Sequence, residues 1–184
     1  MVAPAAARGR GRPHRPAPRP HTGRSHRLSF RAATALFGHL GIEWNVLEAS
    51  DRHLDALRWW IDLHKGLRPL LHGGDVVRLD VADDAALAHG VVAPDRAEAL
   101  FAVVQLTQSR RTMPAAVRLA GLDPDRTYRV EHVAAPGEVL GWGRQPAWLT
   151  EGPVEATGRW LHAVGLPGPL LHPESALLVR LAAT

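Results

Sequence analysis

Histidine is the residue type in this chain with the widest capacity for chemistry: eleven imidazoles in 184 residues, able to ligate metals or carry protons near neutral pH. Their spacing does not gather them. No H-E-x-x-H, H-x-H or other tight ligand pair occurs, so no metal site is predicted. His64 falls on an apolar helical face and reads as a satisfied core histidine. The neighbouring acids, Asp83-Asp84 and Asp123/Asp125, lie beside turn residues. An aspartate there accepts from its own backbone, so turn chemistry is expected in preference to acid–base catalysis. There is no G-x-S-x-G, Walker loop or G-x-G-x-x-G, and no cysteine to supply a thiolate. The patterns therefore nominate no catalytic, cofactor-binding or metal-ligating residue, and no cofactor is expected. Trp142, Trp148 and Trp160 have the ring size to stack on sugars, although packing and loop anchoring is the ordinary use of such residues.

Leu28 to Leu40 has helical periodicity, with Leu28, Ala32, Ala35, Leu36, His39 and Leu40 on one face. Gly38 and Gly41 mark its end. Ile42 to Leu47 alternates apolar residues with Glu43 and Asn45, as a short buried strand would. Ser50 is placed to cap a second, longer helix with Asp51 in its first turn. Its apolar face is broad, containing Leu54, Leu57, Trp60, Ile61, Leu67 and His64. Pro69 is expected to disrupt this helix, and Gly73-Gly74 to turn the chain. From Asp75 the period becomes two: Val77, Leu79 and Val81, then Ala99 to Leu106, Ala115 to Leu119, Tyr128 to His132, and Leu177 to Leu181. Gly137 to Pro153 reads as a long surface connection. The resulting class is α+β: an αβα unit, suggestive of the end of a barrel, followed by an antiparallel β-sandwich.

Charge is unevenly spread. Met1 to Arg27 holds seven arginines and no acid, so 15 of the 22 basic residues remain to face 18 acids, and the body is near −3. Residues 1–22 contain Pro4, Pro13, Pro16, Pro18 and Pro20 and few apolar side chains, so a disordered tail is expected. It has no aromatic residue for base stacking, which argues against a nucleic-acid partner despite the arginines. No apolar run approaches the roughly 18 residues of a membrane span, and the absence of cysteine fits a cytoplasmic protein.

Several stretches, in order, resemble glycoside hydrolase family 36. They are His21-Thr22-Gly23-Arg24, Phe30-Arg31, and Gly38-His39-Leu40-Gly41-Ile42-Glu43-Trp44-Asn45. Next come His64-Lys65, Arg68-Pro69-Leu70-Leu71 and Gly74-Asp75. The last are Gly158, Leu161, Gly165-Leu166 and Leu171-His172-Pro173-Glu174-Ser175-Ala176-Leu177. The resemblance runs from about residue 21 to the last residue. It implies an α-galactosidase architecture with a (β/α)8 catalytic barrel and a C-terminal β-sandwich. Residues 23–72 would end the barrel and 73–184 would form the sandwich domain.

The implied activity is retaining hydrolysis of terminal α-galactosides by two aspartates roughly 5 Å apart. The resemblance places both in barrel segments before H-T-G-R, and residues 1–20 contain no Asp or Glu. Neither role transfers to a residue here, so the chain alone is expected to be inactive. Asn45 and Glu48 would stand near the mouth of the last barrel strand. The alternative is a non-catalytic carbohydrate-binding or interaction module using the three tryptophans. An incomplete barrel should also self-associate, or require an upstream catalytic half, because the broad face of the long helix would partly meet water.

Overall fold

The structure is a computed structural model describing residues 26–43, 45–138 and 141–184. The arginine-rich tail and His21 to Arg24 lie outside the described residues. Two helices come first: α1 (Leu28–Leu36) and α2 (Asp51–Gly73). Strands β1 (Asp75–Leu79), β2 (Ala86–Val92), β3 (Glu98–Gln105) and β4 (Thr127–Val133) follow. Then come α3 (Ala147–Thr150), β5 (Val154–Thr157), α4 (Gly158–Ala163) and β6 (Ser175–Ala183).

The strands form one six-stranded sheet in the order β1-β2-β3-β6-β4-β5, with every neighbouring pair antiparallel. The last strand in sequence thus lies inside the sheet, pairing Phe101 with Val179 on one side and Val130 with Leu181 on the other. β3 and β6 are buried on both faces, which is why they read as unbroken apolar runs. β2 gave a weaker signal because its sequence, ALAHGVV, is rich in small residues. Gly90 is required there: a Cβ would run into the Phe101 ring on the neighbouring strand.

Each face of the sheet buries its own core. On one, Leu100, Ala102, Val104 and Leu178 pack against Ala32, Ala33 and Leu36 of α1 and Trp60, Leu67, Leu70 and Leu71 of α2. On the other, Phe101, Val103, Tyr128, Leu177 and Val179 meet Leu119, Trp148, Leu161 and Leu166. That second layer consists of loops and the short helices α3 and α4. Among the described residues its β pairing is limited to two isolated bridges, Val117 with Leu166 and Gly141 with Leu171. Pro146, Pro153, Pro167, Pro169 and Pro173 punctuate this region and cannot donate to a ladder. The expected antiparallel architecture is present, with an irregular covering where a regular second sheet was anticipated.

Three local expectations need correction. The described residues between Ile42 and Leu47 form no strand: Ile42, Glu43 and Asn45 lie outside regular structure, and a 3-10 turn follows at Val46–Glu48. No strand among the described residues lies beside it, and an isolated strand cannot satisfy its backbone groups. Pro69 does not end α2, which runs to Gly73 with Pro69 on its exposed side. Proline there removes one donor, while Leu67, Leu70 and Leu71 remain buried on the opposite face and hold the turn in place. Finally, the face of α2 is better covered than expected. Leu57, Trp60 and Leu67 are buried, and Leu54 and Ile61 are half-buried. Ile42, Val46 and Leu47, just before it, are exposed, as are Val76 and Met113 elsewhere.

Candidate functional site

The paired acids are turn residues. Asp83 Oδ1 accepts from the Ala85 N–H at 2.9 Å, and Asp123 Oδ1 from the Asp125 N–H at 3.1 Å. Burial alone would raise the Asp83 pKa. Hydrogen bonds from Ser109, the Ala85 backbone and Gln105, together with the charge of Arg111, outweigh it and hold the carboxyl below its ordinary value. Asp125 is ion-paired at 2.6 Å with Arg159, both well exposed. Such a pair ties α4 to the turn but contributes little to stability. In the cavities beside Asp83 and Glu155, each is the single acid among the lining residues. Neither arrangement offers the facing carboxylates that glycoside hydrolysis uses.

Asn45 and Glu48 are brought together, but by local geometry. Asn45 Nδ2 donates to Glu48 Oε1 at 2.7 Å, and Asn45 Oδ1 accepts from the Leu47 N–H at 3.2 Å. Asn45 is therefore the cap of the 3-10 turn, in the usual side-chain-to-backbone manner. Both residues are exposed.

The three tryptophans do not share one platform. Trp148 is buried, and its Nε1 donates to the Pro167 carbonyl at 2.9 Å, so it anchors the loop after α4. Trp160 is partly exposed and lines an open groove of about 620 Å3 beside the edge strand β5, together with Trp148. Trp142 lies elsewhere, edge-on to His172 with ring centres 4.6 Å apart, beside a cavity of about 50 Å3 that is too small for a ligand pocket of roughly 300–1,000 Å3.

A fourth group was not nominated by sequence. His39, Leu40, His64, Arg68 and His72 line an open cleft of about 470 Å3. His64, Arg68 and His72 follow one another at four-residue steps on α2, so helical spacing alone aligns them. His39 comes from the segment after α1. The His39 and His72 ring centres are 5.3 Å apart, and those of His64 and His72 are 6.0 Å apart. His64 is 7% exposed, and its Nε2 has no hydrogen-bond partner. An interaction with the Gly38 backbone favours the protonated form. Burial, with the charges of Arg68, His72 and His39, prevails and lowers the pKa. The expectation of a fully satisfied core histidine is thus met for burial and not for Nε2. As the side chains stand, no three His, Cys, Asp or Glu residues among the described residues have their donors gathered around a metal position.

Among the described residues, no helix is long and apolar enough to cross a membrane. The family model for the glycosyl hydrolase family 36 C-terminal domain matches residues 86–181, which span β2 to β6. An α-galactosidase from Escherichia coli is 39% identical over 166 residues, covering 87% of this chain and 23% of that protein. The α-galactosidase Mel36A of Lactobacillus acidophilus is 29% identical over 112 residues, covering 61% of this chain and 15% of that protein. The galactosidase domain of the α-galactosidase–sucrose kinase AgaSK superposes with a TM-score of 0.73 at 26% identity, covering 91% of this chain and 21% of the other. The α-galactosidase AgaA of Geobacillus stearothermophilus gives a TM-score of 0.73 at 22% identity, covering 90% and 20%. The chain thus spans less than a quarter of the E. coli relative. The matched stretch contains the central strands and the irregular layer packed on them, and on that match the chain belongs to glycosyl hydrolase family 36 through the family's C-terminal domain.

Proposed function

We propose that this chain is the C-terminal part of a cytoplasmic α-galactosidase that hydrolyses terminal α-galactosides with retention. Residues 23–72 contribute the last elements of a (β/α)8 barrel and residues 73–184 the C-terminal β domain. Nucleophile and acid are supplied by other barrel segments, so no residue of this chain has a catalytic role and the chain alone does not turn over substrate. The E. coli relative supports the α-galactoside class by its activity and its 39% identity.

The observation that carries this reading is the segment from Ile42 to Leu47. Its sequence alternates as a strand's does, yet none of its described residues pairs with a strand, and Leu47 is left 92% exposed. An alternating sequence that forms no strand here fits a barrel strand whose pairing partners lie in other segments. The purified chain should show no turnover of an aryl α-galactoside above a matched blank. Co-expression with a catalytic half carrying the preceding barrel segments should restore hydrolysis. Turnover by the chain alone, abolished by replacing one of its own acids, would overturn the proposal.

A further inference from the structure

We propose that the groove beside β5 is a saccharide-binding site, with Trp160 as its stacking platform and the free edge of β5 as its hydrogen-bonding rim. The groove itself selects a neutral pyranoside; an α-galactoside as that pyranoside rests on the proposed hydrolase function.

The groove has the dimensions of a small-ligand site. It holds about 620 Å3, within the roughly 300–1,000 Å3 of ligand pockets, and most of its lining residues are apolar. One wall is fixed in advance: Trp148 is buried, and its Nε1 bond to the Pro167 carbonyl holds both residues in place. Trp160 is the large ring left open there, at 41% exposure. Its backbone N–H is held by Thr157 Oγ1 at 3.3 Å, in the first turn of α4. A pyranose has one face of C–H groups and a rim of hydroxyls. The C–H face suits an indole, whose flat apolar surface comes with few torsions to immobilise.

The rim follows from the ladder. The Gly158 N–H donates to the Arg126 carbonyl at 2.9 Å, while the Thr127 carbonyl accepts from Thr184 on the β6 side at 3.1 Å. Backbone direction alternates along an antiparallel strand. With Tyr128 opposite Ala156 and Val130 opposite Val154, those two β5 residues turn their N–H and C=O groups toward β4. Glu155 and Thr157 therefore turn theirs away from it, along the outer edge of the sheet, and both line the groove. A sugar hydroxyl both donates and accepts, so it can use either kind of group.

The same features disfavour other occupants. Among the described residues the groove is lined by one acid, Glu155, and no cation, so nothing there compensates an anionic ligand. Two outward-facing residues are few for a partner strand, which typically runs about 5–6 residues. Pro153 on one side and the start of α4 at Gly158 on the other keep the edge from lengthening. Two residues suffice for the hydroxyls of one or two sugar rings.

The test is titration of the purified full chain with methyl α-galactoside and with an α-galactosyl trisaccharide, read by tryptophan fluorescence and calorimetry. One equivalent should bind saturably and change the indole emission. Trp160→Ala should weaken binding about tenfold, and Trp160→Phe should recover most of that loss. Trp142→Ala removes a comparably exposed ring outside the groove and should bind as the parent does. Glu155→Pro deletes an outward N–H while sparing the bonds to β4, and should weaken binding several-fold. The proposal is overturned if no saturable binding occurs or if Trp160→Ala binds as the parent does. It is equally overturned if light scattering shows a dimer that Glu155→Pro dissociates, since a second copy would then cover the edge. Binding is read on the chain alone and hydrolysis only after co-expression, so failure of one is distinguishable from failure of the other.

Discussion

Tyr128 is fully buried at the start of β4, and its hydroxyl is used twice. It accepts from the Asp123 N–H at 3.0 Å and donates to the Arg96 carbonyl at 2.7 Å. One side chain thereby closes the turn before β4 and fastens it to the β2–β3 turn, where Arg96 has a positive φ of 56°. Phenylalanine would keep the ring and strand both backbone groups. We predict that Tyr128→Phe lowers unfolding free energy by about 1–3 kcal/mol, measured by urea denaturation. A variant as stable as the parent would show that water replaces the hydroxyl without cost. Asn45 and Leu47 make the opposite case: Asn45→Ala should remove the cap of an exposed turn and cost less than about 1 kcal/mol. Leu47→Glu should change solution behaviour more than stability. Because Leu47 is so open to water, the charged variant should self-associate less in a light-scattering concentration series.

At the scale of elements, α2 and the sheet differ in how far sequence revealed them. α2 was legible from its apolar periodicity, and β3, β4 and β6 from their two-residue alternation or dense apolar runs. β2 was hidden by its small residues, whose place is set by the Phe101 ring across the sheet and not by local preference. β5 and the two short helices were hidden because proline and glycine dominate the surrounding sequence, and only packing against Phe101, Tyr128 and Val179 selects their conformation. The turn roles of Asp83 and Asp123 were readable, since both depend on groups two residues away. The histidine cleft was half readable: the α2 spacing is local, while His39 joins it only through the packing of α1. Pro69 shows the limit of a propensity argument. Its helix continues because tertiary burial outweighs one lost bond. We predict that Pro69→Ala restores the donor to the Lys65 carbonyl and raises the melting temperature, with a gain of up to about 3 kcal/mol. A fall in melting temperature would mean that the ring itself makes a needed contact.

For the whole molecule, pH acts through half-buried imidazoles in the sheet. Burial lowers the pKa of His89 on β2 and of His132 on β4. The unfolded chain therefore takes up protons near the ordinary imidazole value of about 6.5, before the folded chain does. Stability from this source is complete above that value and falls as the pH drops toward the folded pKa values. Melting temperature should decline between about pH 7 and pH 5, and His132→Gln should flatten the decline. A rise in melting temperature on acidification over that range would contradict the assignment. Asp83 adds a separate loss at lower pH. Its folded pKa is depressed, so its contribution disappears only as pH falls below the ordinary carboxyl value of about 3.9.

The place of β6 also bears on how the molecule is made. Its Arg180 bonds Glu98, which lies 82 positions earlier in the chain, at 2.8 Å. β1, β2 and β3 can pair as they emerge from the ribosome, but β4 and β5 have no route into the same sheet until Ser175–Ala183 have followed. Synthesis of β6 is thus the step that joins the two halves, and until then the apolar faces of β3 and β4 are open to wrong partners. Loops of this length are slow to close, so refolding should be slow for a chain of this size. A nascent chain stalled before Ser175 should be sensitive to protease in β4 and β5, while extension through Ala183 should confer protection there.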